Sequence, residues 1–159
     1  MNGTVRSIHV RPAPGAPVKK LSQVMATPGR GLSGDHAHDA AQHGDPLEGG
    51  KEVTLIESEA IEAIRRESSI DVDPGDARRN IVTQGVALNH LVHRDIQIGE
   101  VILRGVRLCE PCAHLESLTR KGICAALVHR GGLRAAVIRG GTIRKGDPIS
   151  VAAPAAATH

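Results

Sequence analysis

The sequence predicts a mainly β protein with some helix, an α+β fold in which a β-barrel carries a few short peripheral helices. Three observations point there. Many short runs alternate apolar and polar residues, the period of a strand with one buried face. Glycines and prolines, 18 and 9 among 159 residues, separate these runs as turns do. Only two or three stretches carry the helical period instead, and no internal repeat is present, which suits a barrel with helices packed around it. At this length one domain is the default. It is expected over residues 1–151, with an alanine-rich tail at 152–159 that frays.

Thr4–Val10 alternates and reads as the first strand, stopped by the prolines and glycine of Arg11–Pro17. Val18–Met25 reads as a second strand, after which Pro28–Gly29–Arg30–Gly31 turns the chain. A polar loop follows from Gly31 to Gly50, carrying Asp35, His36, His38 and His43. Its His-x-His-x₄-His spacing is either a metal site or a solvated loop. Metal sites want ligands on rigid elements, which favours the loop.

Val53–Ile56 is a short apolar strand, and Glu57–Glu67 is the clearest helix. Ala60, Ala63, Ile64 and Glu67 share one face. Glu57, Glu59 and Glu62 lie early and Arg65 and Arg66 late, the order the helix dipole favours, with Glu62–Arg66 as an i, i+4 pair. Asp73–Asp76 turns the chain into Arg78–Gly85, which opens on Arg78, Arg79 and Asn80. Those side chains either grip a phosphate through guanidinium forks and an amide, or make a turn in which the asparagine satisfies its own backbone. The residues alone do not separate the two.

Leu88–Val92 is a helical turn, and Asp95–Leu108 reads as strand, turn at Gly99, strand, bulge at Gly105. Ala113–Leu118 has helical potential. Ile123–Arg130 fits a further short helix, ended by Gly131–Gly132. Arg134–Ile138 and Pro148–Val151 are the last strands, joined through Gly140–Gly141 and Lys145–Gly146–Asp147.

Composition excludes several functions. No apolar run approaches the roughly 20 residues that cross a bilayer, and the N-terminus lacks the apolar region of a signal peptide. A cytoplasmic location with no membrane partner is the expectation. The count of three cysteines is odd and points away from a disulfide framework. Without Phe, Tyr or Trp, the core must be Val, Ile, Leu and Ala, and there is no platform on which bases stack. A formal charge of +3 allows an anionic ligand but does not call for nucleic acid, which is not expected as a partner.

The densest reactive chemistry lies in Arg107–Glu116, where Cys109-x-x-Cys112 precedes His114. Pro111 ends the strand. Cys112 then stands at the start of a helix, whose dipole favours a thiolate. An ordinary thiol is about 3% thiolate at pH 7, and lowering its pKa by about one unit raises that to about a quarter. Arg107 and His114 add positive charge; Glu110 and Glu116 oppose it. Other readings stay open. A cysteine is often a small buried hydrophobe, which suits Cys124. Cys109 and Cys112 are also half of a structural zinc site, with His114, Cys124 or the histidine loop completing it. A thioredoxin-type redox pair is disfavoured because the flanks are not a βαβ unit.

Six fragments then stand in a telling order: Gly31–Leu32–Ser33–Gly34–Asp35–His36, Glu52–Glu57, Arg79–Gly85, Ile98–Gly99, Cys109–Glu110–Pro111–Cys112 and Gly140–Asp147. Together they resemble the landmarks of the MOSC domain, found at the C-terminus of molybdenum cofactor sulfurases, over about residues 3 to 151. The resemblance implies a β-rich barrel. It implies that Cys112, through the Pro-Cys match, carries sulfur or ligates molybdenum. It also implies that Arg79 and Asn80 lie near an anionic cofactor, the molybdenum cofactor (molybdopterin).

On this basis Cys112 and His114 are the catalytic candidates, with His36 a further group able to tune the thiol. Arg79, Asn80, Asp35, His36 and Arg134 are the cofactor-binding candidates. The sulfurases make their persulfide in a separate pyridoxal-phosphate-dependent desulfurase domain. This chain has no room for it, so no pyridoxal phosphate is expected here and a cysteine desulfurase is the expected partner. The acceptor is then a molybdenum cofactor, a molybdoenzyme or a small molecule. The alternative is a non-catalytic module that binds molybdopterin or a related oxyanion. Reduction of N-hydroxylated compounds, known among relatives, would further need bound molybdenum and an electron donor.

Overall fold

A computed structural model describes residues 2–13, 15–35, 52–68, 74, 78–109 and 131–151. Its strands are β1 (Asn2–Val10), β2 (Lys19–Leu21), β3 (Gln23–Thr27), β4 (Gly31–Leu32), β5 (Val53–Glu57), β6 (Ile81–Gln84), β7 (Asp95–Ile98), β8 (Val101–Leu108), β9 (Leu133–Arg139), β10 (Gly141–Arg144) and β11 (Pro148–Val151). Among the described residues one helix, α1 (Ser58–Ser68), joins β5 to β6, and Leu88–His90 forms a 3-10 turn.

Seven strands close into a ring in the order β11-β7-β8-β9-β5-β6-β1, completed by β1 against β11 at Asn2↔Ser150 and Thr4↔Pro148. Closure leaves no edge strand within the ring. Every pairing around it is antiparallel except β5 with β6. That parallel pair needs a crossover, and α1 supplies it. β2 extends the sheet from β1, while β10, β3 and β4 form a small second sheet.

Alternation fills the barrel with aliphatic side chains. Leu55, Ile81, Ile96, Ile98, Leu103 and Leu133 are fully buried in one cluster. In β1 the simple alternation fails, because Val5 and Ile8 both face the core. A register shift between Val5 and Ser7 resets the phase, as a bulge does. Ser7 and His9 are thereby left on the other face, yet both are buried.

The expected strand, turn, strand and bulge of 95–108 is found. Gly99 turns with φ +56°, and the β8–β9 register slips between Gly105 and Arg107. Gly105 packs against the Leu91 carbonyl with no room for a Cβ. Helix α1 begins one residue later than expected, and its buried residues are Ala60, Ile61 and Ile64 rather than Ala63 and Glu67. The expected strand Val18–Met25 is two strands, broken at Ser22. Its first half pairs with β1 and its second with β10. Gly141–Arg144, read as part of a link, is itself a strand. Both differences arise from long-range pairing, which a local pattern does not carry. The histidine loop, the proposed helices at Ala113–Leu118 and Ile123–Arg130 and the tail lie outside the described residues. Among the described residues, no helix is long and apolar enough to cross a membrane.

Candidate functional site

Asn80, at the entrance of β6, is fully buried. Its Oδ1 accepts from Thr54 N at 3.0 Å and from Thr54 Oγ1 at 3.1 Å. Its Nδ2 donates to the His9 carbonyl at 3.0 Å and to Asp35 Oδ1 at 3.1 Å. Two donors on the oxygen and two acceptors on the nitrogen use the whole capacity of a carboxamide and fix its orientation. Its backbone N–H also approaches Thr54 Oγ1 at 3.0 Å. Asn80 therefore does not form a self-satisfied turn; it ties β5, β1 and the Asp35 segment together.

Asp35 is buried and takes three contacts from Arg11: N at 2.8 Å, Nε at 3.3 Å and Nη2 at 3.3 Å. Arg78 is buried in the left-handed region, φ +56°, and donates to the Ala16 carbonyl at 2.6 Å. A non-glycine residue held there costs about 1–3 kcal/mol, strain typical of sites where geometry matters. Burial pushes the Arg78 pKa down, Arg11 adds to that push and Asp35 opposes it. Arg79, also buried, donates from Nε to the Gly131 carbonyl at 2.8 Å.

The sheet continues this polar set sideways. Arg134 pairs with Thr54 on one side and with Arg107 on the other. Directly paired residues point to the same face, so Arg107, Arg134 and Thr54 form a row that leads to Asn80. Arg134 is half-buried and Arg107 exposed. Cys109 follows β8, buried and unpaired by disulfide, with its N–H on the Gly132 carbonyl at 2.8 Å. It is 1% exposed and packs as a small hydrophobe. Gly132, at φ +106°, lies so close to the Leu55 carbonyl that a Cβ could not fit.

Of the predicted site residues, Asn80 and Asp35 are thus in direct contact, Arg134 is paired with Thr54, and Arg79 bonds to the Gly131 carbonyl just before β9. Cys112, His114 and His36 lie outside the described residues. Three participants carried no sequence signal. Arg11 looked like a strand terminus, Thr54 one polar residue in an apolar strand, and His9 a surface position of an alternating strand. The nearest hint was the break in β1 alternation between Val5 and Ile8. His9 is 4% exposed; its Nε2 is 2.9 Å from Ser7 Oγ, and burial, then Lys20, push its pKa down. Glu52 is buried elsewhere, holding Val137 N at 3.1 Å, and burial pushes its pKa up. No group of three or more His, Cys, Asp or Glu side chains suited to a metal occurs among the described residues.

A closed seven-strand barrel with one parallel pair, its polar face organised by Arg-Asn-Ile at the entrance of β6, defines a MOSC-type protein. The MOSC domain family model matches residues 17–150, and the chain belongs to that family. The fold is shared with the YUAD protein from Bacillus subtilis, at 16% identity and TM-score 0.76 over 95% of this chain and 96% of that one. YiiM from Geobacillus stearothermophilus is similar at 15% identity and TM-score 0.70, over 95% of this chain and 75% of that one. YiiM from Escherichia coli is similar at 16% identity and TM-score 0.66, over 97% and 71%. No curated protein sequence matches.

Proposed function

We propose that this chain is a stand-alone sulfur carrier of the MOSC type, a sulfurtransferase domain in which Cys112 accepts persulfide sulfur. A partner cysteine desulfurase supplies the sulfur, and an anionic acceptor such as a molybdenum cofactor receives it. The observation that carries this reading is the set of arginines on the strands and segments around Asn80. Arg11 binds Asp35, the carboxylate that Asn80 also contacts; Arg78 feels the charges of both Arg11 and Asp35; and Arg79 directly precedes Asn80 in the chain. The row adds Arg107 directly opposite Arg134. Like charges set opposite each other destabilise a sheet, and an anion between them relieves the cost.

The donor set fits a pterin phosphate or an oxyanion. Arginine supplies planar forks, matched to such groups. Arg79 and Arg134 would hold the acceptor, while Asn80, its hydrogen bonds spent on Thr54, the His9 carbonyl and Asp35, fixes the strands beside them. The cofactor, when bound, would supply a soft metal centre able to take sulfur. In loading, the Cys112 thiolate attacks the outer sulfur of the donor persulfide. The donor S–S bond breaks, a new one forms on Cys112, and the donor leaves as a thiolate. His114 and His36 are assigned to tuning the Cys112 thiol.

Incubation with a cysteine desulfurase and cysteine, followed by intact mass, tests this. The expected gain is one sulfur atom, absent in Cys112→Ser. A gain that survives Cys112→Ser overturns the assignment to Cys112, and no gain in the wild type overturns the carrier reading. A second reading is a binding module without turnover, in which the same arginines hold an anion and no sulfur is passed on. Molybdenum retained by protein from molybdate-fed cells and lost in Cys112→Ala, with no sulfur loading, would select it. One equivalent of zinc would instead select a structural site at Cys109 and Cys112.

A further inference from the structure

A cavity of about 600 Å³ opens on the outer face of the barrel, between β1, β6 and α1. It follows β6 at Val82 and Gln84, downstream of Asn80, and none of Arg11, Asp35, Arg79 or Asn80 lines it. Four cations do: Arg6 from β1, Lys20 from β2, Arg65 from α1 and Lys145 from the turn between β10 and β11. Glu62 is the one acidic residue among the described lining residues. The chain as a whole carries only +3, so this is a local concentration. Cations brought to one concavity from four separate elements repel one another and raise the local concentration of anions.

The cavity also holds a directed donor. Ser7 lines it and is itself 4% exposed. The Ser7 hydroxyl faces His9 Nε2 at 2.9 Å, and His9 Nδ1 has no hydrogen-bond partner among the described residues. Burial favours the neutral ring, which carries one proton. A buried N–H without a partner is the rarer defect. The proton therefore belongs on Nε2, donated to Ser7 Oγ, and the bare lone pair on Nδ1. Ser7 then accepts from His9 and its own O–H is left to donate into the cavity. Arg6 is pre-positioned, with Nη1 on Gln84 Oε1 at 3.0 Å. Ile61 and Val82 add an apolar surface.

We propose that this cavity is a second anion site, which takes a small phosphate-bearing organic molecule. The phosphate sits among the rim cations and the Ser7 hydroxyl, and the organic part lies over Ile61 and Val82. The volume is that of a small-molecule site, which runs about 300–1,000 Å³; a nucleic-acid backbone needs an extended cationic stripe instead. The inference is independent of the sulfur-carrier reading, since it uses neither Cys112 nor the Asn80 cluster.

The test is a titration with inorganic pyrophosphate at constant ionic strength, read by backbone amide shifts, with chloride as the control anion. Saturable shifts are expected at Ser7, Gln84 and Gly146. The double variant Lys20→Glu/Lys145→Glu, both positions exposed, should raise the dissociation constant at least about tenfold, some 1.4 kcal/mol. Failure to saturate in the millimolar range overturns the proposal, and so do shifts that persist unchanged in the double variant. Shifts gathered on Asn80 and Asp35 instead would place the anion in the other site and also overturn it.

Discussion

The barrel carries two cationic regions, and they are built in opposite ways. Around Asn80 the arginines are buried or half-buried and committed: Arg11 to Asp35, Arg78 to the Ala16 carbonyl, Arg79 to the Gly131 carbonyl. In the cleft beside α1, Arg6, Lys20, Arg65 and Lys145 are exposed. Buried charge is costly unless its bonds are complete, and any change there leaves a group uncompensated. Exposed charge is cheap, mobile and screened by salt. The first region therefore doubles as part of the barrel's framework, while the second can be altered without touching the fold.

Asn80→Asp is the sharpest way to break that contrast. The change is isosteric, but it places a carboxylate oxygen where Nδ2 now donates to Asp35 and to the His9 carbonyl. Three acceptors would then face one another with no proton between them. A loss of about 3–5 kcal/mol is expected, measured by urea unfolding. A loss under about 1 kcal/mol would show that the cluster is loose, and would remove the reason for calling it pre-organised.

Asp35→Asn should cost less, about 1–3 kcal/mol. The amide keeps an acceptor for Asn80 and Arg11 but removes the charge that balances Arg11 and Arg78. An added oxyanion should recover part of the loss in this variant more than in the wild type, because a negative charge facing Arg11 and Arg78 has then been removed. Thermal midpoints with and without molybdate check it.

The contrast also explains what could be read without coordinates. The pair of strands at 95–108 was legible because Gly99 and Gly105 interrupt the alternation locally. Arg79 and Asn80 stood out because charged and amide side chains open an apolar strand. Arg11 and Thr54 did not, because their role exists only when β1, β5 and β6 lie side by side. Asn80 bonds to Thr54, 26 positions away, and to the His9 carbonyl, 71 positions away. The break at Ser22 and the strand at Gly141–Arg144 were hidden for the same reason: β3 and β10 make each other strands by pairing at Thr142↔Met25 and Ile143↔Val24. The cleft was invisible, since its four cations come from four distant segments.

His9 touches both regions. Its carbonyl accepts from Asn80, and its ring contacts Ser7 at the cleft. Burial first and Lys20 second hold its pKa below 6.5. Between that depressed value and 6.5 the unfolded chain binds more protons than the folded one, so stability falls as pH falls through this window. Glu52 and Glu57, raised from 4.5 by burial, act the other way in a window that opens above 4.5: the folded chain holds their protons longer and gains stability as they bind. His9→Gln keeps a donor near Ser7 but does not titrate, and should flatten the upper part of the acid profile while leaving the carboxylate part in place.

Lys20→Gln is the smallest change and the most discriminating. Lys20 is exposed, so its loss should move stability at neutral pH by no more than about 0.5 kcal/mol. Yet Lys20 is also the second cause of the low His9 pKa. Removing it should move the His9 titration partway back toward its ordinary value, with burial holding the remainder. The measurement is the His9 ring shift against pH in wild type and variant, at low and high salt. A rise seen at low salt and diminished at high salt is the mark of an exposed charge acting across a short distance. If the titration does not move, Lys20 is not electrostatically close to His9, and the cleft is no longer joined to the buried cluster through that ring.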